Sequence, residues 1–202
     1  MSKDARQLFF NEFIKGATIA ELGDDAMKPA LETIAHKGND PENILIEHRA
    51  TQICIQIINT SQELVVKEKA LFQAVGGAIS GDIYALPSML VAAVLEENHG
   101  AAVNLGPNTP LDVFRKASVL LDQSKKPDLV WISISELKNP IEFSKELSRF
   151  ADECYENKIK LIVGGRSVDK LILPPQLNLA LHTSLKDISK QCNIFLKTAK
   201  EN

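Results

Sequence analysis

The sequence predicts an α/β chain, in which an N-terminal helical bundle is followed by a flavodoxin- or Rossmann-like, doubly wound five-stranded parallel sheet. Three observations carry that prediction. Up to about residue 66 the apolar residues recur at helical spacing. Beyond it, short apolar runs alternate with helical stretches, and Gly or polar residues punctuate each passage from strand to helix. The chain therefore divides into a cap-like bundle, 1–66, and a sheet domain, 67–202.

In order along the bundle, Leu8, Phe9, Phe10, Phe13 and Ile14 predict an apolar patch on a first short helix. A second stretch from about Ile19 to Ile34 places Met27, Leu31 and Ile34 at helical spacing, with Pro29 expected to kink or interrupt it. Asp40-Pro41-Glu42 is an N-cap followed by Pro at the first helical position. The helix it opens runs to about Asn59, and its dense apolar residues from Ile44 to Ile58 predict a helix at the centre of the bundle. In the second half, strands are predicted at 70–75, 102–105, 129–133, 160–163 and 177–181. Helices are predicted at 85–97, 110–122, 141–157 and 184–197. In such sheets ligands bind beyond the carboxyl ends of the strands, where the strand order reverses. For the order 2-1-3-4-5 that point brings together the loop Gly81–Pro87 and Ser133, with Gly164-Gly165 after the neighbouring fourth strand.

Composition narrows the function classes. The 202 residues are 45% hydrophobic and 24% charged, with a net charge of -3. Lys and Arg are scattered among Asp and Glu, which predicts no direct nucleic-acid binding. No apolar run approaches the roughly 20 residues of a membrane span and no signal peptide is visible, so a cytoplasmic location is expected. Cys54, Cys154 and Cys192 are widely spaced without a CxxC, predicting buried thiols and no disulfide framework. His36, His99 and His182 show no ligand spacing, and no protein-held metal is expected. No P-loop, Gly-x-Gly-x-x-Gly or nucleophile triad stands in a fitting context, so the chain is read as no enzyme.

Leu105-Gly106-Pro107-Asn108-Thr109-Pro110, Asp128-Leu129-Val130, Ser133 and Val163-Gly164-Gly165-Arg166, preceded by Ile46-Glu47-His48-Arg49-Ala50-Thr51, together resemble the cobalamin-binding-domain family. Its members include methionine synthase, corrinoid proteins and light-sensing transcriptional regulators. The resemblance spans roughly residues 20 to 200. It implies that Asp82 is the carboxylate that orients a cobalt-ligating His, that Ser133 contacts the nucleotide tail, and that Gly164 and Gly165 make room beside it. Glu47 and His48 would flank the upper axial ligand. Tyr84 stands where the ligating His would be, Pro87 replaces a Gly, Ser135 occupies a position that is usually apolar, and the Trp lid of the bundle is absent. Trp131 lies in a strand and cannot serve as that lid.

Taken without the resemblance, Asp82 is an N-cap for the following helix and Tyr84 a packing residue. Gly164-Gly165 is then a strand-to-loop turn, and Glu47 and His48 are a satisfied polar pair inside the bundle. Asn108 or Thr109 is expected to cap the helix begun by Pro110. The expected function is a non-enzymatic sensory or regulatory module acting on transcription or signalling through a protein partner, a DNA-binding regulator being one such partner. Its corrinoid site would be degenerate, with Tyr84, Leu86 and Met89 partly closing the cleft. Two alternatives stay open: a tetrapyrrole sensor holding base-on cobalamin or haem, and a corrinoid carrier subunit of a methyltransferase. Bundle helices pairing with a second copy of the chain would give a homo-oligomer.

Overall fold

The computed structural model describes residues 2–38, 40–65, 69–120 and 126–200; the expected boundary at 66 and helix end at Asp122 lie outside them. Four helical segments come first: α1 (Ser2–Ile14), α2 (Ile19–Leu22), α3 (Lys28–Ala35) and α4 (Pro41–Leu64). Thr18 and Glu21 form a capping box at the start of α2, and the Asp40 carboxylate accepts from Glu42 and Asn43 N–H at 3.1 and 3.0 Å to start α4.

The predicted interruption near Pro29 takes a specific form. Gly23–Met27 is a π-helical turn joining α2 to α3, and Lys28 N–H reaches back to Gly23 O. The wider turn sits just before the proline, whose ring nitrogen has no hydrogen to donate.

The alternating half follows as β1 (Phe72–Ala78), α5 (Ala85–Glu97), β2 (Gly100–Asn104), α6 (Leu111–Leu120), β3 (Leu129–Ser133), α7 (Pro140–Glu156), β4 (Lys160–Gly164), β5 (Ala180–His182) and α8 (Leu185–Lys200). The strands are all parallel in the order β2-β1-β3-β4-β5, as the sequence predicts. The last strand is shorter and later than the expected 177–181. Pairing with β4 begins only where Ala180 meets Ile162, while Leu177 and Leu179 pack beneath the sheet instead.

Alternation along each strand sorts side chains to two faces. Val75, Val130, Ile132, Leu161 and Val163 lie on one face with Phe114, Leu147 and Phe150 of α6 and α7. Ala74, Trp131, Ile162 and Ala180 lie on the other, beneath α5 and α8. That second core continues into the N-terminal helices through Phe9, Ile19, Leu22, Met27, Ile57 and Ile58. The helices and the sheet thus share one apolar core.

Two expectations for the bundle are corrected. α4 is not buried on most sides: its buried residues are Cys54, Ile57, Ile58 and Ser61, while Leu45 is 68% exposed and Ile44 and Ile46 are also open to solvent. Only the second half of α4 packs on the core, and the first half projects beyond the sheet. On α1, Phe9, Phe10 and Phe13 pack together, but Leu8 and Ile14 are exposed, so the predicted patch is narrower. The cysteines are free and buried as expected, and burial pushes the Cys154 and Cys192 thiols up to about 12. They are therefore inert near neutral pH. Among the described residues no helix is long and apolar enough to cross a membrane, and no cluster of three His, Cys, Asp or Glu could hold a metal.

Candidate functional site

The carboxyl ends of β1, β3 and β4 meet beneath the projecting half of α4, and a cleft of about 830 Å³ lies between them. That is within the range of small-molecule and cofactor sites, roughly 300 to 1,000 Å³. Its floor is built from the loops that leave the strands. Asp82, fully buried, ties three of them together. Its carboxylate accepts from Tyr84 N–H at 3.0 Å, from Ser135 N–H, and from Glu136 N–H at 3.3 Å, and its carbonyl accepts from Asn108 N–H at 2.8 Å. Amide donors converging on an ionised carboxylate are among the stronger hydrogen bonds in proteins.

This corrects the reading of Asp82 as a helix cap. Tyr84 is the N-cap residue of α5, and its side chain makes no capping bond. Asn108, with φ 54°, does not cap α6 either; its side-chain carbonyl accepts from Gly81 N–H at 2.8 Å. Both side chains lock the strand ends to each other.

Tyr84 is 39% exposed and forms part of the cleft floor. The Arg166 guanidinium lies over its ring, 4.7 Å from the centroid, and Arg166 Nε donates to Ser135 O at 2.9 Å. Ser167 Oγ donates to the same carbonyl at 3.0 Å. Ser133, buried at the end of β3, lines the floor, as do Gly164 and Gly165.

The two glycines have a steric reason of their own. A Cβ on Gly164 would meet His182 O at 2.7 Å, and one on Gly165, where φ is 116°, would meet Ile134 O at 2.4 Å. What presses on each is protein backbone, which matches the turn reading. Trp131 is buried in β3 against Gly76 and donates from Nε1 to Ser88 Oγ at 3.2 Å, closing the deep end of the floor.

The roof is less tightly held. Glu47 and His48 line it from α4 with Thr51, Gln52 and Ile55, and Met27 and Leu31 add to it from the π-helical turn and α3. Glu47 is partly and His48 largely exposed, and neither side chain hydrogen-bonds to another described residue, so the reading of a satisfied buried pair is corrected. Ala35, the last residue of α3, also lines the cleft. Tyr84 and Leu86 narrow the cleft from below as expected, whereas Met89 takes no part.

The cleft thus brings together Glu47, His48, Tyr84, Ser133, Gly164 and Gly165, with Asp82 directly beneath. Three further features were not singled out as site residues. Ser135 Oγ and His182 Nε2 are buried without a hydrogen-bond partner among the described residues, and both residues line the cleft. Asp24, in the π-helical turn, accepts from Ser184 Oγ at 2.9 Å, Leu185 N–H at 3.1 Å and Lys186 N–H at 3.0 Å, capping α8 from across the cleft. His182 and Arg166 each sit at or just past the carboxyl end of a predicted strand, which is the signal that could have marked them.

No protein-family model matches the chain, and no curated protein matches it. Solved structures do. The monomethylamine corrinoid protein of Methanosarcina barkeri superposes with a TM-score of 0.67 at 16% identity, covering 93% of this chain and 89% of its own. The methanol:cobalamin methyltransferase complex of the same organism gives a TM-score of 0.51 at 20% identity, covering 89% of this chain and 68% of the matched one. A cobalamin-binding protein of Desulfitobacterium hafniense DCB-2 gives a TM-score of 0.46 at 14% identity, covering 96% and 98%. The chain has the cobalamin-binding fold, helices capping a Rossmann-like five-stranded parallel sheet.

Proposed function

We propose that this chain is a non-enzymatic regulatory module that holds a tetrapyrrole in the cleft and passes its bound state to a protein partner. The observation that carries the reading is the open cleft whose floor includes the unpartnered Ser135 Oγ and His182 Nε2. Buried polar groups are almost always bonded, and leaving one without a partner costs about 1 to 3 kcal/mol. A ligand that meets these two atoms recovers that cost.

The residues do not fit a corrinoid whose cobalt takes an imidazole from the loop after β1, because Tyr84 stands there. A neutral phenol is a poor transition-metal ligand. They do fit a macrocycle that keeps its own base, or a haem, with His48 in the roof and His182 in the floor as the imidazoles within the cleft. A bound corrinoid or haem would supply a metal centre that responds to light, redox state or small molecules. The chain's own residues would bind the ring between α4 and the strand ends.

A net charge of -3 without a basic stripe argues against direct binding to DNA, so an action on transcription would run through a separate DNA-binding protein, and the location proposed is the cytoplasm. A second reading, a corrinoid carrier in methyl transfer, draws support from the likeness to a corrinoid protein and to a methyltransferase complex. Tyr84 weighs against it, since no imidazole from that loop is present to control the cobalt.

The test is an absorption spectrum of the purified protein after incubation in the dark with hydroxocobalamin, adenosylcobalamin or haem, followed by desalting. Retention of one of them at one per chain, with a shifted band, is the expected result. A colourless protein would replace the reading with an adaptor that uses the fold and leaves the cleft empty.

A further inference from the structure

We propose that Arg166, stacked on Tyr84 beside Ser135, is an anion clamp. It selects a macrocycle with carboxylates on its rim, of the porphyrin kind, over one whose rim carries amides, of the corrinoid kind. This rests on the reading of the cleft as a tetrapyrrole site and names the chemistry that site prefers.

The clamp is built from Tyr84 in the loop after β1, Ser135 just past β3, and Arg166 just past β4. The three are in direct contact: the guanidinium lies over the Tyr84 ring, and its Nε donates to Ser135 O. The corner is rigid, because the Asp82 carboxylate accepts both the Tyr84 and the Ser135 amide and Ser167 Oγ holds the Ser135 carbonyl. The hydroxyl of Ser135, in a residue only 6% exposed, is left without a partner.

Arg166 has five N–H donors, and among the described residues only Nε is engaged in a hydrogen bond. Neither Asp169, which also lines the cleft, nor Glu136 on the facing loop forms an ion pair with it. The terminal nitrogens of a guanidinium fixed by an aromatic platform and one backbone carbonyl therefore remain free at the cleft. That is the arrangement that binds a carboxylate through two parallel hydrogen bonds. A primary amide offers one carbonyl acceptor and turns its own N–H donors toward the same cation. Ser135 Oγ supplies a further donor in the same corner.

The experiment compares zinc protoporphyrin IX with its dimethyl ester, which differ only in the two carboxylates, by fluorescence titration of the full chain. Hydroxocobalamin is titrated in parallel by absorbance. The diacid is expected to bind about 10- to 100-fold more tightly than the diester, the increment of charged hydrogen bonds. Arg166→Gln should lower diacid affinity far more than diester affinity and so remove most of that preference, and Arg166→Lys should restore part of it. Equal affinity for acid and ester, or a preference that survives Arg166→Gln, overturns the clamp. Retention of hydroxocobalamin without any preference for acid over ester sinks the clamp alone and leaves the tetrapyrrole reading standing. Failure to retain any macrocycle sinks both.

Discussion

The two faces of the sheet are made from the same strands and serve opposite ends. On the face toward α6 and α7, Val75, Val130, Ile132, Leu161 and Val163 meet Phe114, Leu147 and Phe150 and are sealed from solvent over their whole length. On the face toward α5 and α8 the strands also carry Phe72, Leu129 and Ile162, but Ala74, Gly76, Gly164 and Ala180 are short, and the Trp131 ring fills the space beside Gly76. Small residues near the carboxyl ends leave the second face hollow there, and the hollow becomes the cleft. Toward the carboxyl ends, branched side chains close one face while short ones on the other make room. We expect strand parity to separate residues that only pack from those that line the cleft.

The largest test of that separation is Phe150→Ala. Removing a buried aromatic ring from the sealed face should cost about 3 to 5 kcal/mol, read from urea denaturation. Macrocycle affinity of the folded protein should not change, and a matching loss of affinity would show that the faces are coupled. A smaller effect is expected of Asp24→Ala on the hollow face. Losing the cap of α8 should cost about 1 kcal/mol and speed hydrogen exchange at the Leu185 and Lys186 amides. Here affinity should fall together with stability, since Asp24, Ser184 and Leu185 all line the cleft.

The smallest effect sits further along the same face. Burial pushes the Glu97 carboxyl above the usual carboxylate range, against the opposing pull of the Ile19 amide that it accepts at 2.9 Å. A raised native value means that the folded chain holds this proton more tightly than the unfolded one. The site's contribution to stability is then full below the ordinary carboxylate value and is lost as pH rises through the raised one. Glu97→Gln should remove that slope, changing stability by less than about 1 kcal/mol. Parallel pH profiles for the two proteins would show that the native carboxyl is not raised.

The strand order was legible in the sequence because apolar runs of strand length alternate with capped helices, and the short connections leave few ways to arrange them. The position of the cleft was legible for the same reason. What the cleft contains was less so. Asp82 reads as a cap because Asp is a favoured N-cap residue and a helix starts shortly after it; besides Tyr84, its carboxylate partners, Ser135 and Glu136, lie more than fifty residues away in sequence. The burial of α4 is less than its sequence predicts because its first half carries Ile44, Leu45 and Ile46, apolar residues that lie past the sheet's end and stay partly open to solvent. Local spacing cannot report where a helix outruns its support. The Tyr84–Ser135–Arg166 corner was equally hidden, since its three residues come from loops about 30 to 80 positions apart and only the folded sheet brings them together.

The hydrogen bonds from α8 to Asp24 also decide how this chain can be cut. A fragment beginning at residue 69 would keep every strand of the sheet, yet it would lose the carboxylate that holds the first amides of α8 and uncover Leu90, Leu95 and Ile188, now buried with Phe9, Ile19 and Met27. The helical cap and the Rossmann-like half have separate architectures, but we predict that they do not fold as separate units. Any dissection aimed at finding the partner should keep them joined.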